Sequence, residues 1–450
     1  MAFEGYKVDG DVEVESATLI LGNLQVVDIS QLATEVNIYQ NLFNHYIEAS
    51  FVMDDSFNLF ANGYTGNEVI EISFRNAVGT GVTPEPEFVR HIFHIYEISD
   101  KKRISEFREV YIINCVSPEM YQTTPRKISR SYGPSTISEM VKKINDEYVY
   151  NKDAKDYYNN LSKVFGYTKR KDLTLDDTSG QQQLVIPSMP VDDAIDFLSN
   201  EADSPDHLPF YTFYEDANGF KFKNVSNLVD QPVTETYHHL PMRNTIPNNN
   251  IEELEEELGQ NLDDTFKIIS YNVVQQSNIL KNANYGMYKS KTLNLDIHRR
   301  STKEVIYDYD TFGDKFKQIE NKVLGGSDGE PVFALTTTRF SHNSDSTLVA
   351  ENHIPKRINT TKAITDSYKR SIFNVIMEVT VAGNDKINVG QIIELMFYRT
   401  IDDTVSFDEY DKYLSGKYLI TKARHKLSGA KTGVDYVTVI ECTRDGIKED

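Results

Sequence analysis

The sequence predicts a mainly β protein with an α+β middle region, and three observations carry that prediction. Apolar and polar side chains alternate through residues 18–118 and again from Phe266 onward, the pattern of strands with one face buried. The chain holds 27 tyrosines and 23 phenylalanines with no tryptophan, and aromatic and β-branched richness favours strands. Helical spacing is concentrated between these two stretches. At 450 residues the chain exceeds the usual size of one hydrophobic core, so two or three domains are expected.

Taken in order, Ile47, Ala49, Phe51 and Met53 share one face of a strand. MDDSFNLFANGYTGN then reads as a capped helical turn ending in glycine loops. GNEVIEISF is the next strand. HIFHIYEIS and REVYIINCVS form a hairpin pattern around a charged turn at DKKR. The style changes near Ser117. Thr136 and Glu139 make a capping-box pair ahead of Ile137, Met140, Val141 and Ile144 at helical spacing. Residues 150–182 are polar and loop-rich, LVIPSMP is a short strand, and Val191, Ala194, Ile195 and Leu198 mark a second amphipathic helix. PFYTFYEDANGFKFKNVSNL is a hairpin turning at Asn218 and Gly219. Residues 243–264 form a strongly acidic connector. Strands resume with FKIISYNVV, MYKSKTLNLDIH and EVIYDYD. A loop-like stretch and a helix from Ala363 to Phe373 follow, then NVIMEVTVAGN, GQIIELMFYR and the last two strands. The expected division is 1–118 (first β domain), 119–265 (α+β middle with the connector), 266–310 with 363–446 (second β domain), and 311–362 as a loop-rich insertion.

The two β domains echo each other. VIEI at 69–72 lies on IIEL at 392–395, Phe74 meets Phe397, and YIINCVS meets TVIECTR so that Cys115 faces Cys442. The distance from Glu71 to Cys115 is 44 positions and from Glu394 to Cys442 is 48. Shared order and near-equal spacing point to one β domain used twice.

The run LSGKYLITKARHKLSG at 414–429 sets Lys422, Arg424 and Lys426 in a row on one face of a strand. The chain as a whole carries 68 acidic and 47 basic residues, a net charge of −21. The row is a solvated outer face, an edge strand guarded by lysines, or a contact surface for something acidic such as another copy of this chain.

The acidic balance argues against tight nucleic-acid binding. No apolar run is long enough to span a membrane, and the first residues are too polar for a signal peptide. Two cysteines do not make a disulfide framework, and both read as buried free thiols. His91 and His94 fall on opposite faces of a strand, as do His238 and His239, so neither pair reads as a metal site. His425, between Ala423 and Leu427, reads as packed and hydrogen-bonded. DTSG at 177–180 reads as a loop, and HExxH, CxxC and P-loop signatures are absent from the sequence.

Several of these segments together resemble a known family. NVIMEVTVAGNDKINVGQIIEL, LSGKYLITKARHKLSG and DYVTVIECTRD resemble the hub proteins of contractile-tailed phage baseplates and are similar to the hub part of type VI secretion spike proteins. The matching features are Gly383-Asn384, Gly390-Gln391, the YLIT at 418–421, His425, and Tyr436 with Thr438. EVNIYQNLFNHYIEASFVMDDSFNLF resembles the first tube-like domain of that family. QLVIPSMPVDDAIDFLSNEA and PFYTFYEDANGFKF resemble its helix-containing middle domain. The 311–362 stretch and the acidic connector fit least well.

The resemblance implies two tail-tube-like β-barrel domains plus a helix-containing domain. It implies a homotrimeric, non-enzymatic adaptor, without cofactor or metal, that joins a hexameric tail tube to a trimeric central spike beside other baseplate proteins. DNA would pass only in transit through the bore, and the acidic excess of the chain would line that bore or coat the exterior. The location implied is the virion, after assembly in the host cytoplasm, with Lys422, Arg424 and Lys426 as the candidate subunit interface. The alternatives are a tail-associated cell-wall-degrading enzyme and a carbohydrate-binding β protein.

Overall fold

The computed structural model describes residues 12–22, 25–61, 63–76, 87–150, 171–239, 266–296, 301–323, 332–334, 358–401, 404–429 and 435–446. The acidic connector, residues 151–170 and most of the 311–362 stretch lie outside the described residues.

Seven strands form a first unit: β1 (Val12–Ile20), β2 (Val26–Asp28), β3 (Ala33–Asn41), β4 (Glu48–Asp55), β5 (Val69–Asn76), β6 (Val89–Ser105) and β7 (Arg108–Val116). They lie in the order β2-β1-β5-β6-β7-β4-β3, all antiparallel. Alternation sets the faces: Ala49, Phe51 and Met53 on β4 and Tyr111, Ile113 and Cys115 on β7 are buried, and the residues between them are partly exposed. Leu19, Ile38, Phe51, Ile72, Phe93 and Cys115 come from six strands and share one core. A flat sheet could not bring its outer strands into one core, so this sheet is curled. Residues 29–32 carry the chain across the remaining gap. The Ile29 N–H donates to the Ala17 carbonyl on β1 (2.8 Å), and the Ala33 N–H on β3 donates to the Ile29 carbonyl (2.9 Å).

Two local expectations change here. The charged turn at DKKR is absent. β6 continues to Ser105, with bulges and a positive φ of 52° at Asp100, and the chain reverses at Glu106 and Phe107. Asp tolerates that left-handed conformation, so the strand absorbs its charged residues without turning. The stretch after Met53 contains no helix among its described residues. The Asp55 carboxylate accepts the Phe57 and Leu59 N–H groups, both at 2.8 Å, and this local bonding competes with a helical turn.

The middle region comprises α1 (Pro118–Thr123), β8 (Lys127–Ser135), α2 (Ile137–Ile144), β9 (Asp172–Leu175), β10 (Gln182–Pro190), α3 (Val191–Glu201), β11 (Tyr211–Asp216), β12 (Gly219–Asn224) and α4 (Val225–Val229). The Thr136–Glu139 capping box is formed, and α2 packs Met140, Val141 and Ile144 with Ala194, Ile195 and Leu198 of α3 in one core. β8 pairs with β10, and β12 pairs with both β11 and β9. The β11–β12 loop is Ala217 and Asn218, one residue earlier than the sequence suggests. Gly219 opens β12 at φ 128°, where a Cβ would lie 2.5 Å from the Asp172 carbonyl oxygen, so only glycine fits.

The last part contains β13 (Val233–His239), β14 (Ile268–Gln276), α5 (Ile279–Asn284), β15 (Lys289–Asp296), β16 (Ser301–Asp308), α6 (Tyr309–Phe312), β17 (Val332–Ala334), α7 (Ile358–Ile372), β18 (Val375–Ala382), β19 (Ile392–Ile401), β20 (Thr404–Tyr410), β21 (Gly416–Ser428) and β22 (Asp435–Arg444). Six strands run β14-β18-β22-β21-β19-β13, with β13 parallel to β19. A single bridge between His238 and Lys267 brings the two ends of this order together. The described start of the 311–362 stretch is not all peripheral. Phe316, Ile319 and Val323 enter this unit's core, and the Asp445 carboxylate accepts the Ile319, Glu320 and Asn321 N–H groups at 2.7, 3.0 and 3.2 Å.

The two units share a strand order. β1-β5-β6-β7-β4-β3 in the first corresponds to β13-β19-β21-β22-β18-β14 in the second. Cys115 pairs with Ile95 and Ala49, and Cys442 with Ile420 and Met377. One residue is skipped after Ile95 and one after Ile420, a bulge at the same place. The Ile95 N–H donates to the Glu68 carbonyl (3.0 Å) and the Ile420 N–H to the Gln391 carbonyl (2.9 Å). Only the sixth strand differs: β1 is antiparallel to β5, whereas β13 is parallel to β19.

Candidate subunit-contact surface

β21 joins the units. Its first residues pair with β19, while residues 422–428 pair with β3 on one side and β22 on the other. It is therefore an interior strand, and the lysine-guarded edge expected as one reading of its charges does not apply. The bulge at Thr421 also breaks the simple alternation. Tyr418, Leu419, Ile420 and Thr421 are all buried, after which Ala423, His425 and Leu427 point inward and Lys422, Arg424 and Lys426 outward.

The structure thus holds the three cations in a row along the β21–β3 seam, each with a partner from its own chain. Lys422 Nζ lies 2.9 Å from Glu441 Oε2. Arg424 donates through Nε to Asn37 Oδ1 (2.9 Å), lies 3.5 Å from Glu35, and sits 5.7 Å from the centre of the Tyr39 ring. Lys426 Nζ lies 3.1 Å from Glu35 Oε2. Burial acts to raise the Glu35 carboxyl, but hydrogen bonds from Asn37 and Lys426 and the nearby Arg424 charge hold it below the ordinary value. Such half-exposed pairs each stabilise the fold by only about 0.2–1 kcal/mol. A groove of about 340 Å³ runs beside the row, lined by Tyr39, Asn41, Asn44, Glu378, Lys422 and Glu441. The three cations pair with Glu35 and Glu441, and Glu48 and Glu378 stand in the same groove, so the row is charge-balanced by its own chain.

Behind the row, His425 Nδ1 meets the Tyr436 hydroxyl at 2.8 Å. Burial lowers the His425 pKa to about 4, so the ring is neutral at pH 7. His91 stacks between Phe74 and Phe93, and His94 stacks on Tyr121 with ring centres 3.5 Å apart. Among the described residues, no three His, Cys, Asp or Glu side chains gather as a metal site. Both cysteines are free and buried, and burial pushes their thiols up.

Two polar clusters between the first unit and the middle region escaped sequence reasoning. His45, in the β3–β4 loop, places Nε2 2.8 Å from Asp196 and Nδ1 3.8 Å from Asp192, both on α3. The Tyr46 hydroxyl donates to Asp192 Oδ1 at 2.8 Å. Burial works against charging His45, but the two carboxylates outweigh it and raise its pKa to about 9. Nearby, Lys171 bridges Glu119 (2.7 Å) and Glu215. The buried Glu215 carboxylate also accepts from Ser117 Oγ and the Ile47 N–H. Burial raises the Glu215 carboxyl above its ordinary value, against the lowering influence of Lys171. Asp192 and Asp196 at i, i+4 on a helix were the available signal; their partner lies 151 residues away from Asp196 in sequence.

No protein-family description matches the chain, and no curated protein sequence does either. Among solved structures, a tail protein from Neisseria meningitidis MC58 is similar over 96% of each chain, at 10% identity and a TM-score of 0.52. The 43 kDa tail protein of prophage MuSo2 from Shewanella oneidensis matches 95% of this chain and 98% of its own, at 11% identity and a TM-score of 0.50. A chain of the Francisella PdpA–VgrG complex matches 96% of this chain and 58% of its own, at 9% identity and a TM-score of 0.44. At these identities the likeness is one of fold. The chain shares a mainly β fold with phage tail proteins, in line with the resemblance drawn from its sequence.

Proposed function

We propose that this protein is a structural baseplate hub of a contractile phage tail. Three copies form an adaptor between the hexameric tail tube and the trimeric central spike, and the genome passes through the bore. The observation that carries the reading is the repeated strand order: one chain presents two similar β units fused edge to edge at β21 and β3. Three such chains in a ring offer six similar units to a hexamer while keeping threefold symmetry for a spike. The tail-protein fold supports a structural role in the virion. The net charge of −21 suits a passage that DNA traverses without binding. Lys422, Arg424 and Lys426 would face an acidic surface of the adjacent subunit or of the tube ring.

Native mass tests the reading. About three times 51.5 kDa, and ring-shaped particles that cap purified tail tubes in electron micrographs, are the expected results. A monomer at high protein concentration that ignores tail tubes would overturn it. A cell-wall zymogram separates this role from a hydrolytic one, and no clearing is expected.

A further inference from the structure

The seam inside this chain has a counterpart with both halves left open. β21 pairs with β19 through its first part, bulges at Thr421, and then pairs with β3 through residues 422–428. Its equivalent in the first unit is β6, which pairs with β5 through residues 89–94, bulges at Tyr96, and continues to Ser105. That extension has β7 along one side, and among the described residues no strand lies along the other. The equivalent of β3 is β14. Ile38 on β3 pairs with Ala49, which pairs with Cys115; Val273 on β14 pairs with Met377, which pairs with Cys442. Apart from the bridge at Lys267, β14 has β18 as its only strand neighbour among the described residues.

We propose that the outer half of β6 in one copy pairs antiparallel with β14 of the next copy, repeating across the subunit boundary the seam that β21 makes with β3. The inference rests on the ring reading above and names its contact. Both strands carry a further bulge, β6 between Ser99 and Lys102 and β14 between Val273 and Gln275. Counting through the neighbouring strands brings Lys102 beside Asn272, where Lys426 lies beside Asn37 in the internal seam. Arg103 falls beside Tyr271. Both halves expose apolar side chains: Ile269, Tyr271 and Val274 on β14 are 59%, 40% and 56% exposed, and Tyr96 and Ile104 on β6 are 50% and 59% exposed. The donor and acceptor edges are different strands, so the contact is heterologous and propagates head to tail until the rotation closes a ring. Each added chain contributes one internal seam and one external seam of the same kind, and three chains give six.

The test uses the full chain with Lys102→Cys and Asn272→Cys combined. Paired strand positions lie within disulfide reach, and the native cysteines are buried. After mild oxidation, a non-reducing denaturing gel should show a dominant covalent three-chain species. A mixture of the two single variants should stop at covalent pairs, and each single variant alone should stay at one chain. Ser99→Cys with Gln275→Cys samples a second pair in the same register, equivalent to Arg424 beside Tyr39 in the internal seam. A native mass near three times 51.5 kDa with neither pair cross-linking would overturn this contact and leave the trimeric reading standing. A persistent monomer would overturn both.

Discussion

Replacing His45 by Gln removes the charge that ties the first unit to α3. The imidazole is buried between Asp192 and Asp196, and its pKa in the fold is about 9 against an ordinary 6.5. That rise corresponds to about 3 kcal/mol of preferential stabilisation of the charged form. The sign follows from the direction. With the folded value above the unfolded one, the contribution is full below pH 6.5, declines as pH rises, and is gone above about pH 9. Urea unfolding of the natural and His45→Gln proteins at about pH 6 and pH 9.5 measures it, because ionisations common to both cancel in the difference. The stability gap between the two proteins should shrink by about 3 kcal/mol across that range. A gap that stays constant would show that His45 is not held charged, and the argument from the two carboxylates would fail.

Three other outcomes are expected. Tyr436→Phe leaves the buried His425 Nδ1 without its 2.8 Å partner and should cost about 1–3 kcal/mol in denaturant unfolding; an unchanged midpoint would refute it. Reversing Lys422, Arg424 and Lys426 to Glu puts like charges against Glu441 and Glu35. It should lower thermal stability only slightly, since each pair contributes about 0.2–1 kcal/mol, yet should reduce the native mass to that of one chain. An unchanged ring at physiological salt would remove these residues from the interface. Cys115 and Cys442, both buried, should react with a thiol reagent only after denaturation, and fast labelling of the native protein would contradict their burial.

Much of the fold was legible because local signals agreed with the tertiary result. The Thr136–Glu139 box, the apolar stripe on α3 and the strand alternation around Phe51 each specify an element from within a few residues. The echo between residues 69–115 and 392–442 was legible for the same reason: equivalent strands occupy equivalent environments and keep similar patterns. The departures occur where non-local packing or a single side chain decides. Thr421 is a bulge because β21 must leave β19 and meet β3, and nothing in LSGKYLIT announces that change of partner. Asp100 was read as a turn, yet the surrounding sheet holds it inside a strand. His45 gave no local sign, because its partners arrive from α3.

The cations of β21 and β6 also bear on how an open edge survives before assembly. An unpaired strand edge invites aggregation, and charged side chains and bulges are the usual protection. β21 is covered on both sides and has no edge to protect, although it too carries a bulge at Thr421 and the cations Lys422, Arg424 and Lys426. The outer half of β6 is uncovered among the described residues, and it carries Lys101, Lys102 and Arg103, a positive φ at Asp100 and two irregularities in its register. The same architectural position therefore carries cations in both units: Lys422, Arg424 and Lys426 where the partner strand belongs to the same chain, and Lys101, Lys102 and Arg103 where the partner must be found. An internal seam forms as the chain folds, at a high effective concentration of its partner. An external seam has to remain soluble until a second copy arrives, and a cationic strand reconciles solubility with attraction to an acidic chain.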